Sequence, residues 1–118
     1  MGKQYDKEHA VTIVATAAIA ACRFVGFNGA HATSAGGAAD AQGISESAGA
    51  IGEAVSLITE YSGTVEAAEA FAQFAFVKSD ANGKAITGTA TDYCGRALEA
   101  SSGAGAFVEV MPLPVRHA

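Results

Sequence analysis

The sequence predicts an all-β fold, a small sandwich or barrel built from two pseudo-repeats, with at most one or two short helical turns near residues 66–73. Three observations carry that expectation. The chain matches itself: an ungapped offset of 52 residues lays "TIVATAAIAACRFVG" from Thr12 onto "TVEAAEAFAQFAFVK" from Thr64. That register pairs Thr12 with Thr64, Phe24 with Phe76, Val25 with Val77, Gly36 with Gly88, Asp40 with Asp92 and Gly43 with Gly95. Alanine matches mean little in so alanine-rich a chain, but Thr, Phe-Val, Gly and Asp matches in one register are hard to obtain from composition. Short apolar runs also alternate with clusters of turn formers, as strands do in small sheet proteins. Finally, the one helix-favouring stretch, "EAAEAFAQF" from Glu66 to Phe74, is too short and too closely bounded by strands for more than a turn or two.

The pseudo-repeats span about 10–61 and 62–113, between a polar N-terminal arm, 1–9, and a C-terminal tail, 112–118. "HAVTIVATAAIAACRF", His9 to Phe24, reads as a strand, a turn of small residues and a second strand, with Cys22 expected as a buried small apolar residue. The same letters can be read as a lipoprotein leader ending in Ile19-Ala20-Ala21-Cys22, with Cys22 as lipid site. Asp6 and Glu8 in a leader that should be positive, and alanine where leucine is usual, argue against it. The first copy continues as "CRFVGFNG", a loose loop from Ala30 to Ala41, "GISESAG" and "GEAVSLITEY". In the second copy, "FAFVKSDANGKAIT" is a strand, a turn and a strand. Asp80 to Gly83 supplies residues that tolerate left-handed backbone, a hairpin signal. "YCGRALEASSGAGAFVEVMPL" gives a strand, a turn from Ser101 to Gly105 and a last strand in which Phe107, Glu109 and Met111 alternate with Val108 and Val110. The Val face is expected inside, and the other face against a second layer or a partner.

At 118 residues the chain is one domain, able to bury about two-thirds of its unfolded surface. With 14 glycines, many alanines and no Trp, that core is thin at about 25 cal/mol per Å², so assembly with a partner is expected. A net charge of −5 gives no basic face for nucleic acid. Cys22 and Cys94 have no metal-ligand spacing and are expected as free thiols. The longest apolar run, Ala10 to Cys22, is shorter than the roughly 18 to 20 residues of a membrane span, so the chain is expected to be soluble or at most surface-anchored.

Catalytic chemistry finds little support. His9, His31 and His117 lie in an arm, a glycine-rich loop and a tail, with no shared metal spacing, and are read as solvated or incidental. Ser45 and Ser47 lack the glycine of a nucleophile elbow. Glu66 with Glu69, or Glu46 with Glu53, are read as solvated surface acids, and the glycines from Gly103 to Gly105 precede a strand instead of opening a helix.

From about Val65 to Leu113 the chain resembles the small capsid cement, or decoration, proteins of tailed bacteriophages. The resemblance lies in an apolar strand entering a "DANGKA" hairpin, a "GRALEA" strand, a short turn of small residues and a terminal "FVEV" strand. The first half joins it only through the internal repeat. The resemblance implies a structural subunit with no enzyme activity, cofactor, metal, nucleic-acid or membrane partner. It would bind the outer surface of an icosahedral head, bridge neighbouring major capsid proteins, and sit on the virion exterior as a trimer or dimer after assembly in the host cytoplasm. Contacts with capsid or neighbouring subunits are expected from the two arms: Lys3, Gln4 and Tyr5, and Pro112, Leu113, Pro114, Val115 and Arg116, where two prolines hold the chain extended. A virion surface fibre or adhesion module, and the lipid-anchored envelope protein, are the alternatives.

Overall fold

The computed structural model describes residues 10–32, 41–59 and 61–113. Among them run nine strands: β1 (Ala10–Val14), β2 (Phe24–Gly26), β3 (Ala41–Ser45), β4 (Ala54–Ile58), β5 (Gly63–Glu66), β6 (Phe76–Ser79), β7 (Ala85–Thr87), β8 (Gly95–Ala97) and β9 (Phe107–Pro112). The first half forms one antiparallel sheet in the order β1-β4-β3-β2, and the second half another in the order β5-β9-β8-β6-β7. Strands β5, β9, β8 and β6 thus stand where β1, β4, β3 and β2 stand in the first sheet. β7 pairs with β6, and the Ala68 N–H donates to Ala85 O at 2.9 Å, so the second sheet curls back on the end of β5 as a half-barrel.

The correspondence reaches single hydrogen bonds. Ile19 and Gly49 exchange N–H···O bonds of 2.8 and 2.9 Å, and Phe71 and Ser101, offset by 52 residues, exchange bonds of 3.3 and 2.9 Å. Cys22 N–H donates to Ser45 O at 2.9 Å, and Phe74 N–H donates to Ala97 O at 2.8 Å. Cys22 and Phe74 both hold left-handed backbone, with φ of 62° and 68°, which is uncommon outside glycine. Ahead of the last strand of each half, Gly52 and Gly105 adopt φ of 88° and 89°, where a Cβ would be strained.

Ala15, Ile19, Val25, Val55 and Leu57 form a core on one face of the first sheet. Their counterparts Ala67, Phe71, Val77, Val108 and Val110 are buried together in a larger core, which also takes in Phe24 and Ile44 from the opposite face of the first sheet. The first sheet is therefore buried on both faces and the second on one.

The all-β expectation holds, and Glu66 to Gln73 carries no helix: β5 ends at Glu66, and Ala67 and Phe71 make isolated bridges to Ala85 and Ser101. Tertiary pairing overrides the helix propensity of its alanines and glutamates. β9 alternates as predicted, Val108 and Val110 inward and Phe107 and Met111 outward, but no layer covers its outer face among the described residues. Cys22 is half-buried at a corner outside both core clusters, a correction to its expected place as a buried apolar residue. A chain that began at Cys22 would lose β1, which pairs with β4 along five residues. The bare loop expected from Ala30 to Ala41 lies, from residue 33 to residue 40, outside the described residues.

Candidate functional site

Two features stand out from the fold. The first is an ion cluster joining the halves. Arg23, just before β2, places Nη2 3.0 Å from Glu66 Oε1, and Lys84 Nζ lies 3.4 Å from Glu66 Oε2. Arg23 Nη1 also donates to Asn82 O at 3.0 Å, so one guanidinium ties β2 to β5 and to the turn before β7. Burial pushes the Glu66 pKa upward, but the hydrogen bonds and charges of Arg23 and Lys84 outweigh it and hold the carboxyl below its ordinary value. Glu66 is thus no solvated surface acid, and Glu69 accepts from Thr87 N–H at 2.8 Å, which lowers its pKa. The cations that engage Glu66 are 43 and 18 positions away, a separation no local pattern reveals.

Residues suspected of chemistry are used structurally. His31 Nε2 accepts the Ala20 N–H at 2.9 Å, and burial and the Arg23 charge lower its pKa, so it acts as a neutral acceptor and is not incidental. Ser45 Oγ donates to Ala20 O at 2.7 Å and accepts the Arg23 N–H at 3.1 Å, tying down the turn ahead of β2. Burial drives the Cys94 thiol far above its ordinary pKa, away from nucleophilic use. Among the described residues no group of His, Cys, Asp and Glu is placed to hold a metal.

The second feature is the uncovered face of the second sheet. Phe76, Arg96 and Met111 pair side by side across β6, β8 and β9. The Arg96 guanidinium lies 4.4 Å over the Phe76 ring, whose other neighbour is Tyr93 with centroids 5.0 Å apart. Arg96 Nε also donates to Phe74 O at 2.8 Å, which helps hold the guanidinium against the Phe76 ring. Phe74 is 57% exposed, and Phe107 and Met111 on β9 are exposed as well. An aromatic–arginine surface of this kind suits a protein contact.

Of the arm residues expected to make contacts, Pro112 and Leu113 are described. Pro112 is the last residue of β9, opposite Gly95, and Leu113 N–H donates to Cys94 O at 3.1 Å. Lys3, Gln4, Tyr5, Pro114, Val115 and Arg116 lie outside the described residues.

A sequence model of the family described as phage cement protein matches residues 4–112. The chain belongs to the phage cement protein family. It is a structural, capsid-decorating component of the virion. Among solved structures, the N base of the bacteriophage phi29 head fiber has the same fold. That match has a TM-score of 0.70 at 15% identity and covers 92% of this chain and 97% of that one. No curated protein matches the chain.

Proposed function

We propose that this cement-family chain binds the outer surface of an icosahedral phage head and ties neighbouring major capsid proteins together, as a homo-oligomer and without turnover. The family match over residues 4–112 carries the reading. A thin core of small residues and an uncovered aromatic–arginine face suit a subunit that completes its burial on partners. Many identical contacts, each weak, raise avidity far above that of one contact. In this reading Lys3, Gln4 and Tyr5, together with Pro112 to Arg116, reach from the folded body to the shell. Co-sedimentation with expanded shells of the cognate phage is the test. The chain saturates the shells at a fixed ratio, and deletion of residues 1–9 or 114–118 weakens binding; no saturable binding contradicts the proposal.

The likeness to a head-fiber base supports a second reading, in which the folded body is the shell-bound foot of a surface fibre or adhesion module. Electron microscopy of decorated heads separates the two, since a foot carries density that projects well beyond the folded body.

A further inference from the structure

Each half carries the same two surfaces, a row of side chains across the outer face of its sheet and the edge of its first strand. In the first half the row is Phe24, Ile44 and Ile58, paired side by side across β2, β3 and β4. The second half covers it. Ile44 is 0% and Phe24 1% exposed, and a Cβ placed on Gly63 of β5 would lie 2.8 Å from Ile58 Cδ1 and 3.5 Å from Ile44 Cδ1. Main-chain bonds fasten the contact: Phe24 N–H donates to Gly83 O at 2.8 Å and Glu66 N–H to Cys22 O at 2.9 Å. The outer row of the first half is thus docked on the first strand of the second.

An offset of 52 residues carries Phe24 and Ile44 onto Phe76 and Arg96, one inserted residue makes it 53 for Ile58, which falls on Met111, and the same 52 carries Gly63 back onto Val11 of β1. Of these counterparts Arg96, Met111 and Val11 are exposed, the last two at 38% and 37%, and Phe76 is half-buried. Among the described residues β1 pairs with β4 alone, so its outer edge is open. Had a twofold axis related the halves, both rows would be covered equally. One row covered and the other bare is the mark of a heterologous relation, which leaves one unsatisfied surface at each end. Those two surfaces are the pseudo-equivalents of partners that already fit each other inside the chain.

We propose that chains assemble head to tail into a closed ring, the row Phe76–Arg96–Met111 of one chain docking on the β1 edge of the next. Met111 then meets Val11 as Ile58 meets Gly63, and the Val14 N–H reaches Phe74 O of the neighbouring chain as Glu66 N–H reaches Cys22 O within one. The exchange of Ile44 for Arg96 fits a contact between chains: the row stays soluble before assembly, and its guanidinium, stacked on Phe76, is the type of group that anchors interfaces. The inference deepens the homo-oligomer part of the proposed function, yet it is measured with no shell present, so the two fail separately.

The test uses two full-length chains in a Cys22→Ala background, Cys94 being buried. One carries Val11→Cys and the other Met111→Cys, and both are treated with a short bis-maleimide. The mixture yields a cross-linked pair of chains that neither gives alone, and a chain with both substitutions gives a ladder ending at the ring number. Cross-linking of the Val11→Cys chain to itself shows β1 pairing with β1 and overturns the proposal, as does a mixture without the hetero-pair. An Arg96→Asp chain, checked for native folding by its melting curve, runs as a smaller species in sedimentation velocity; an intact ring from that chain also overturns it. If the ring is absent and Arg96→Asp instead abolishes shell binding, the face belongs to the capsid contact, and the proposed function survives without this assembly.

Discussion

The two halves share a backbone plan and differ in what their outer faces are built to meet. Phe24, Ile44 and Ile58 occupy the same places in the first sheet as Phe76, Arg96 and Met111 in the second, with matching strand order and matching pairings. In the first half Phe24 and Ile44 are core and Ile58 packs partly buried against it, whereas in the second Arg96 and Met111 are exposed and Phe76 is half-buried. The inner rows, by contrast, are buried in both halves. Backbone pairing is therefore common property of the repeat, whereas burial of the outer face depends on which neighbour the chain supplies.

Exchanging the two rows breaks the comparison most forcefully. Ile44→Arg places an unpaired charge in a fully buried site and costs several kcal/mol, enough to unfold a domain of ordinary stability. Arg96→Ile, at the exposed counterpart, costs at most about 1 kcal/mol in the isolated chain, the worth of the stacking on Phe76. Equal losses from the two would contradict the difference between the faces. Next in size are the inner rows. Leu57→Ala costs about 2–5 kcal/mol, and Val110→Ala at its counterpart a smaller but clear loss, since both side chains are fully buried. Denaturant unfolding measures each, and a silent Val110→Ala would separate the inner rows as well.

The joint between the halves gives a third, pH-dependent effect. Glu66→Gln removes the charge that Arg23 and Lys84 engage and costs about 1.5–3 kcal/mol near neutral pH. Because the folded pKa of Glu66 is lowered, its contribution is fully present above the ordinary carboxylate value of 4.5 and is lost as pH falls through the folded value. Melting curves of the native and Glu66→Gln chains therefore converge on acidification, and a constant gap down to pH about 3 would contradict this role. His31, also with a lowered pKa, weakens both chains alike once pH drops below its ordinary 6.5. Smallest is Arg96→Ala, which loses the stacking on Phe76 at an exposed site and costs about 0.5–1 kcal/mol in the isolated chain.

Much of the plan was legible in the sequence because it is local. The sequence predicts a turn at Asp80 to Gly83, and Asp80 Oδ1 does accept the N–H groups of Asn82 at 2.7 Å and Lys84 at 2.9 Å. The period-two pattern of the last strand gave its buried face correctly at Val108 and Val110. What was illegible depends on distant partners. Phe24 and Phe76 are the same residue in the same local context, yet one is core and the other lies on the open face, because only the first has a second half packed over it. Glu66 looked like a surface acid because Arg23 and Lys84 meet it only through the fold. Cys22 looked apolar and buried because sequence spacing does not reveal a left-handed corner. The cement character was legible in the ordered hairpin and terminal strand of the second half, whereas the aromatic–arginine face required the sheet to bring together Phe76, Arg96 and Met111.

The most direct measurement follows disassembly of expanded shells in rising denaturant, with and without the purified chain. The account predicts that the midpoint rises with added protein and levels off at the ratio at which binding saturates. A midpoint that stays in place while the chain is bound would contradict a cementing role and leave only attachment to the shell.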